Sequence, residues 1–346
     1  MSESYIREFT TDHNPTVIPP HTVVNNPFAD TFRGSALDFD IATSSIYLGD
    51  KFDSNGNTFS RDEIDEDSLA HQRFPKECSD KKAIIKLTSE GEVEDWWVVG
   101  KDYFVKSHKE FFGAIEEQLL DRFDPNNLEY VVVTNRSSRN GRWGFREYVF
   151  NNMSVPIQST NGHETHIKFR IVAWSGLDGL TSNNYLLGAF DSYCMNGMVW
   201  AASENDYSRM KSRNSKLFNL EGFTIRLGVA SEEFYRRSVE FQAMAQSNLR
   251  CSHGLNFLDD LKCSDKRKEG FKELYVREIE TRGENVFALH SALTNYASHS
   301  NDDVFSSRKT KYSDMKGELL FKREEEVVDI LRSKEWNGLL EYAMTA

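Results

Sequence analysis

No stretch of this chain approaches the 18 or so consecutive apolar residues that a membrane-spanning helix needs. The opening MSESYIREFTTDHNP has neither a basic start nor an apolar run, so no export signal is expected. Cysteine is scarce: Cys78, Cys194, Cys251 and Cys263 show no paired spacing. Free thiols in a reducing compartment, the cytoplasm of a bacterial host cell, are the expectation. Proline vanishes after Pro156. An irregular front and a back able to run in long helices follow from that. Catalytic signatures are missing too. The chain has no GxxxxGK[ST], no GxGxxG and no GxSxG. His163-Glu164-Thr165-His166 is one residue short of zinc-protease spacing, and Cys251-Ser252-His253 with Cys263 lacks a fourth ligand. In DSNGNTFSRDEIDED the glycine is misplaced for a calcium loop: with Asp53 first, position 58 needs glycine but holds Thr58. No catalytic residue, metal or cofactor is assigned.

What is present is a soluble-type composition, 39% hydrophobic and 28% charged, with length for one large domain or two. The formal net charge is −12, but it is unevenly spread. Residues 1–80 hold 15 acids against 6 bases, whereas residues 128–250 hold 14 bases against 11 acids. Salt screens charges beyond about 10 Å at 0.1 M, so an acidic chain can still carry a local basic site.

The most informative stretch is LEYVVVTNRSSRNGRWGFREYVF, Leu128 to Phe150. Two β-rich runs flank Asn140-Gly141, which suits a type I′ turn. Arg136, Arg139, Arg142 and Arg146 surround it, interleaved with Trp143, Phe145 and Tyr148. Alternation puts Arg142, Gly144, Arg146 and Tyr148 on one face and Trp143, Phe145 and Val149 on the other. If the first face is open, its cations can track the phosphates of a single strand while Tyr148 or Trp143 stacks on a base. Arg209, Lys211, Arg213 and Lys216 form a second basic group in SRMKSRNSKLF, expected to be a flexible loop over bound backbone. The competing expectation makes the aromatics core and pairs the arginines with the acidic N-terminal arm.

Around the hairpin, KAIIKLTSEGEVEDWWVVG predicts two strands about a turn at Ser89-Glu90-Gly91. Ser107 and Glu110 form a capping box before FFGAIEEQLLDRF, which Asp124-Pro125 stops. HETHIKFRIVAW and FTIRLGV (Phe223–Val229) predict further strands. Apolar spacings of three, four and seven predict helices over Glu232–Leu249, Lys268–Glu280, Glu284–His299 and Met315–Trp336. The expected fold is α+β: an antiparallel sheet with a central basic β-hairpin flanked by helices, then a helical C-terminal region. Residues 1–80 form an acidic, proline-containing arm, 81–250 the core and 251–346 the helical end.

Three segments resemble the phage/plasmid-like family grouped as domain of unknown function 932. KAIIKLTSEGEVEDWWVVGKDYFVKSHKEFFGAIEEQL is similar to its opening strands, with Gly100 and Tyr103 at a glycine-tyrosine step. AWSGLDGLTSNNYLLGAFDSYCMNGMVW is similar to its centre, with Asp178-Gly179 before a Cys-x-Asn-Gly element at Cys194, Asn196 and Gly197. ENVFALHSALTNYASH is similar to its C-terminal helix. The resemblance implies a mobile-element origin and no established reaction. The outline is also similar to phage single-strand annealing proteins, a likeness of architecture alone. The expectation is a protein that binds single-stranded DNA or RNA, as a homo-oligomer, in phage or plasmid recombination or replication. Two alternatives stand beside it: a non-enzymatic protein that blocks a host defence or host enzyme through the acidic arm, and a metal-dependent nuclease.

Overall fold

The computed structural model describes residues 16–17, 28, 30–48, 76–181, 183–193, 196–198, 209–212, 220–298 and 316–345. In order these give β1 (Thr16–Val17), β2 (Asp40–Leu48), β3 (Lys76–Leu87), β4 (Val93–Gly100), α1 (His108–Arg122) and α2 (Pro125–Leu128). Then come β5 (Val131–Ser138), β6 (Trp143–Gln158), β7 (Glu164–Gly176), β8 (Asn183–Asp191), β9 (Asn196–Met198) and β10 (Arg209–Ser212). The helices α3 (Leu220–Gln246), α4 (Cys251–Asp259), α5 (Asp265–Arg282), α6 (Val286–Ser298), α7 (Lys316–Leu331) and α8 (Lys334–Thr345) close the chain. The class is α+β, with a helical C-terminal region, as the sequence predicts.

Two antiparallel sheets result. The larger runs β1-β5-β6-β7-β8-β10 with β9 also on β8, and the smaller runs β2-β3-β4. The hairpin forms as its turn chemistry dictates. Asn140 and Gly141 take positive φ (55° and 85°), and the Arg142 amide donates to the Arg139 carbonyl at 3.2 Å. The capping box also forms: Ser107 Oγ accepts from the Glu110 amide, and Glu110 accepts from the Ser107 amide. Asp124 then caps α2 through the Asn126 amide.

Strand β6 lies at the centre of the larger sheet and is covered on both faces. On one face Tyr148 and Phe150 meet α1, and Phe169 of β7 meets Phe234 of α3. On the other, Arg170 donates to both Glu147 and Glu324 and so ties β6 and β7 to α7. Trp143, Phe145, Tyr148, Phe150, Phe169 and Trp174 all belong to the main core. A small second core, Ile84, Trp97, Val99 and Leu177, joins the two sheets.

Four expectations are corrected. Phe223–Val229 lies inside α3, because the short apolar run continues the helical series Leu227, Ala230, Phe234, Phe241 on the buried face. Arg209–Ser212 is not loop but strand β10, paired with β8. Cys251–Asp259 adds a helix, and the predicted Met315–Trp336 helix breaks into α7 and α8 at Arg332–Ser333, where Ser333 Oγ caps the Trp336 amide. Finally, the boundary expected at residue 80 falls inside β3, which pairs with β2, and Phe28 and Leu37 of the N-terminal region are core.

Candidate nucleic-acid interface

The hairpin arginines divide into an inner and an outer pair. Arg146 has no exposed surface. Its guanidinium sits 2.6 Å from Glu116, donates to Asn135 and Tyr148 and contacts Thr31, while its plane lies over Phe32. Tyr148, also fully buried, donates to Glu116 at 2.9 Å. Burial raises the Glu116 carboxyl despite Arg146 and Tyr148, and it raises the Tyr148 phenol well above its ordinary value. Arg136 shares Glu147 with Arg170. Burial alone would lift the Glu147 carboxyl, but the two guanidiniums hold it below the usual range.

The face carrying Arg142, Gly144, Arg146 and Tyr148 is therefore not an open ribbon. Beyond Arg142 it is turned to α1, where α1 supplies the acid that lets a cation be buried. Trp143 is core, as the competing expectation had it. Among the described residues, the acids that pair with these arginines are Asp95, Glu116, Glu147 and Asp178, while Thr31 and Phe32 of the N-terminal region contact Arg146.

Arg139 and Arg142 are different. Each keeps about a third of its side chain exposed at the hairpin tip (35% and 33%). Arg139 lies over Trp143 and donates to Asp178 at 2.5 Å. Arg142 lies over Trp97 and donates to Asp95 at 2.9 Å, where Asn140 also donates. Beneath the tip, His108 Nε2–H donates to the Gly141 carbonyl at 2.7 Å, and burial drives that imidazole down to about 4.

The tip abuts the smaller sheet. Trp97 and Val99 of β4 point inward, and the Trp97 indole donates to the Leu177 carbonyl. Alternation then forces Trp96 and Val98 outward, 59% and 45% exposed. Their register partners Ile85 and Ala83 share that open face, with exposed Lys81 beside Gly100. Trp96 is the aromatic that sequence reasoning passed over. The signal was the pair of adjacent tryptophans in a strand, one of which had to face out.

The residues that carried the family resemblance partly converge here. Tyr103 donates to the Gly176 carbonyl at 2.7 Å, and Asp178 folds the next turn by accepting from the Leu180 and Thr181 amides. Gly179, at φ 73°, leaves room for Val99, whose Cγ1 would lie 3.2 Å from an added Cβ. Gly100 ends β4 one residue on. Asn196 and Gly197 pair with Asp191 and Phe190 at the other end of β8. Cys194, Arg213, Lys216 and the acid-rich stretch from Asp53 to Asp67 lie outside the described residues, and Arg209 and Lys211 are placed only as alternate positions of β10.

Among the described residues no three His, Cys, Asp or Glu side chains gather as a metal site, and no helix is long and apolar enough to cross a membrane. Compared with known protein families, curated proteins and solved structures, the chain matches none.

Proposed function

We propose that this protein binds single-stranded nucleic acid along strand β4, with the exposed Trp96 on one face of the β2-β3-β4 sheet and the hairpin tip against the other. The observation that carries the reading is an exposed indole, Trp96, on one face of strand β4, with Arg142, about a third exposed, held over Trp97 on the other face of the same strand. The Arg142 guanidinium also approaches the Trp96 carbonyl, at 3.5 Å. A flat indole accepts an unpaired base, worth about 1–3 kcal/mol, and a stacked one in a duplex cannot reach it. Lys81 on the indole's face, and Arg142 and Arg139 across β4 from it, supply the phosphate contacts in this reading. Annealing of strands in phage or plasmid recombination is the narrower form of this reading.

Fluorescence anisotropy with a labelled single strand and its duplex, over a salt series, tests it. Three phosphate contacts predict a log–log salt slope near about −2 for a single strand. Trp96→Ala should weaken binding about tenfold or more without changing that slope, and Arg139→Ala with Arg142→Ala should flatten it by about 1.4. Absence of single-strand binding at low salt, or equal binding by all variants, overturns the reading.

A further inference from the structure

The C-terminal helices enclose a cavity that shares no residue with the hairpin tip. It lies among α4, α5, α7 and the start of α8, with the turns that follow α4 and α7, and has a volume of about 430 Å³. Small-molecule sites span roughly 300–1,000 Å³. The floor is apolar, built from Phe257, Leu261, Phe271 and Ile330. The rim is acidic: four carboxylates line it against Lys262 and Arg267. Arg267 is already committed, since it donates to Glu326 at 3.0 Å and lies over Tyr296, whose hydroxyl donates to the same carboxylate. Asp260, Asp329 and Glu335 have no ion-pair partner among the described residues.

An apolar floor under a surplus of carboxylate selects a hydrocarbon body bearing one positive charge and disfavours the matching anion. We propose that this cleft binds a small organic cation of the arylalkylammonium class. Its ring lies on the half-buried Leu261 and Ile330, backed by Phe257 and Phe271, and its ammonium reaches Asp329 and Glu335. Cys263 lines the same cleft, half-buried and free. Burial raises its thiol pKa, so it serves the test as a reporter of occupancy rather than as a nucleophile of the site.

The full chain is alkylated with uncharged iodoacetamide at about pH 8.5, where thiolate begins to form. Peptide-resolved mass spectrometry then follows Cys263 against Cys251. The probes are 2-phenylethylammonium and 3-phenylpropionate, similar bodies of opposite charge. The ammonium should slow Cys263 by 1 + [L]/Kd, about tenfold at nine times Kd, and leave Cys251 unchanged. Asp329→Asn with Glu335→Gln, both exposed positions, should remove that protection while circular dichroism stays unchanged. Equal protection by phenylpropionate, no protection by the ammonium at about 10 mM, or equal slowing of Cys251 would overturn the proposal.

Discussion

At the scale of single residues, neighbouring arginines on one hairpin hold opposite roles, and stability separates them. Arg146 is sealed with Glu116, so Arg146→Ala leaves a carboxylate buried without its counter-ion. The expected loss is about 3–5 kcal/mol. Arg142 shares Asp95 at the surface, and Arg142→Ala should cost less than about 1 kcal/mol. Urea unfolding of the two variants checks the contrast, and similar midpoints would mean Arg146 is not the buried anchor described. Asp95 supplies the complementary prediction. Its carboxylate occupies the Arg142 guanidinium that a phosphate would use, and that contact helps hold Asp95 below the ordinary carboxylate range against the opposing effect of burial. Removing one charge about 4 Å from a phosphate is worth about 1 kcal/mol in water. Asp95→Asn should therefore tighten single-strand binding about fivefold at low salt, read by the same anisotropy assay.

At the scale of elements, the joint between α1 and the hairpin carries a pH dependence. His108 titrates near 4 in the folded chain but near its ordinary 6.5 when unfolded, because burial opposes its charge. The unfolded state therefore takes up the proton first. Stability from the neutral imidazole is complete above 6.5 and is lost as pH falls towards 4, by about 3 kcal/mol in all. His163, also lowered by burial, adds in the same direction. Comparing the chain with His108→Gln isolates the joint: its amide nitrogen can take the place of Nε2 as donor to the Gly141 carbonyl, and its unfolding free energy should fall less steeply across that window. An identical slope would assign the dependence elsewhere.

The same joint explains what could be read from sequence. The Asn140-Gly141 turn, the capping box at Ser107 and Glu110 and the alternation along β4 are local codes, each written within a few residues, and each forms. Whether Arg146 faced water was not a local question. The acid that neutralises it, Glu116, lies in α1, and the helix that covers the opposite face of β6 arrives only at Lys316–Leu331. An arginine-rich strand reads as a surface until its sheet is known to be covered twice. Phe223–Val229 failed for a related reason: a short apolar run fits a buried strand and a helix face equally, and only the continuing series to Phe241 decides.

At the scale of the whole molecule, Thr16–Val17, Phe28 and residues 30–48 of the acidic N-terminal region are part of the fold, and this sets what truncation does. Thr31 offers its carbonyl to Asn135 and its hydroxyl to the buried Arg146, and Phe32 lies under that guanidinium. Strand β2 supplies one side of the smaller sheet, whose middle strand β3 presents Ile85 to the open face. Deleting residues 1–60 removes Phe28, Phe32 and Leu37 from the core at about 1.5–3 kcal/mol each, against a typical total stability of about 5–15 kcal/mol. It also strands the Asn135 amide and narrows the smaller sheet to two strands, which seldom stand alone. The truncated chain should lose its cooperative unfolding transition and its near-ultraviolet dichroism. Deleting only residues 1–15, ahead of β1, leaves β1, Phe28 and β2 in the chain and should preserve both signals. If the longer deletion instead folds cooperatively and binds single strands more tightly, the region is a removable inhibitor. The contacts made by Thr31 and Phe32 would then be dispensable, and the stability of the Arg146 site would have to come from Glu116, Asn135 and Tyr148.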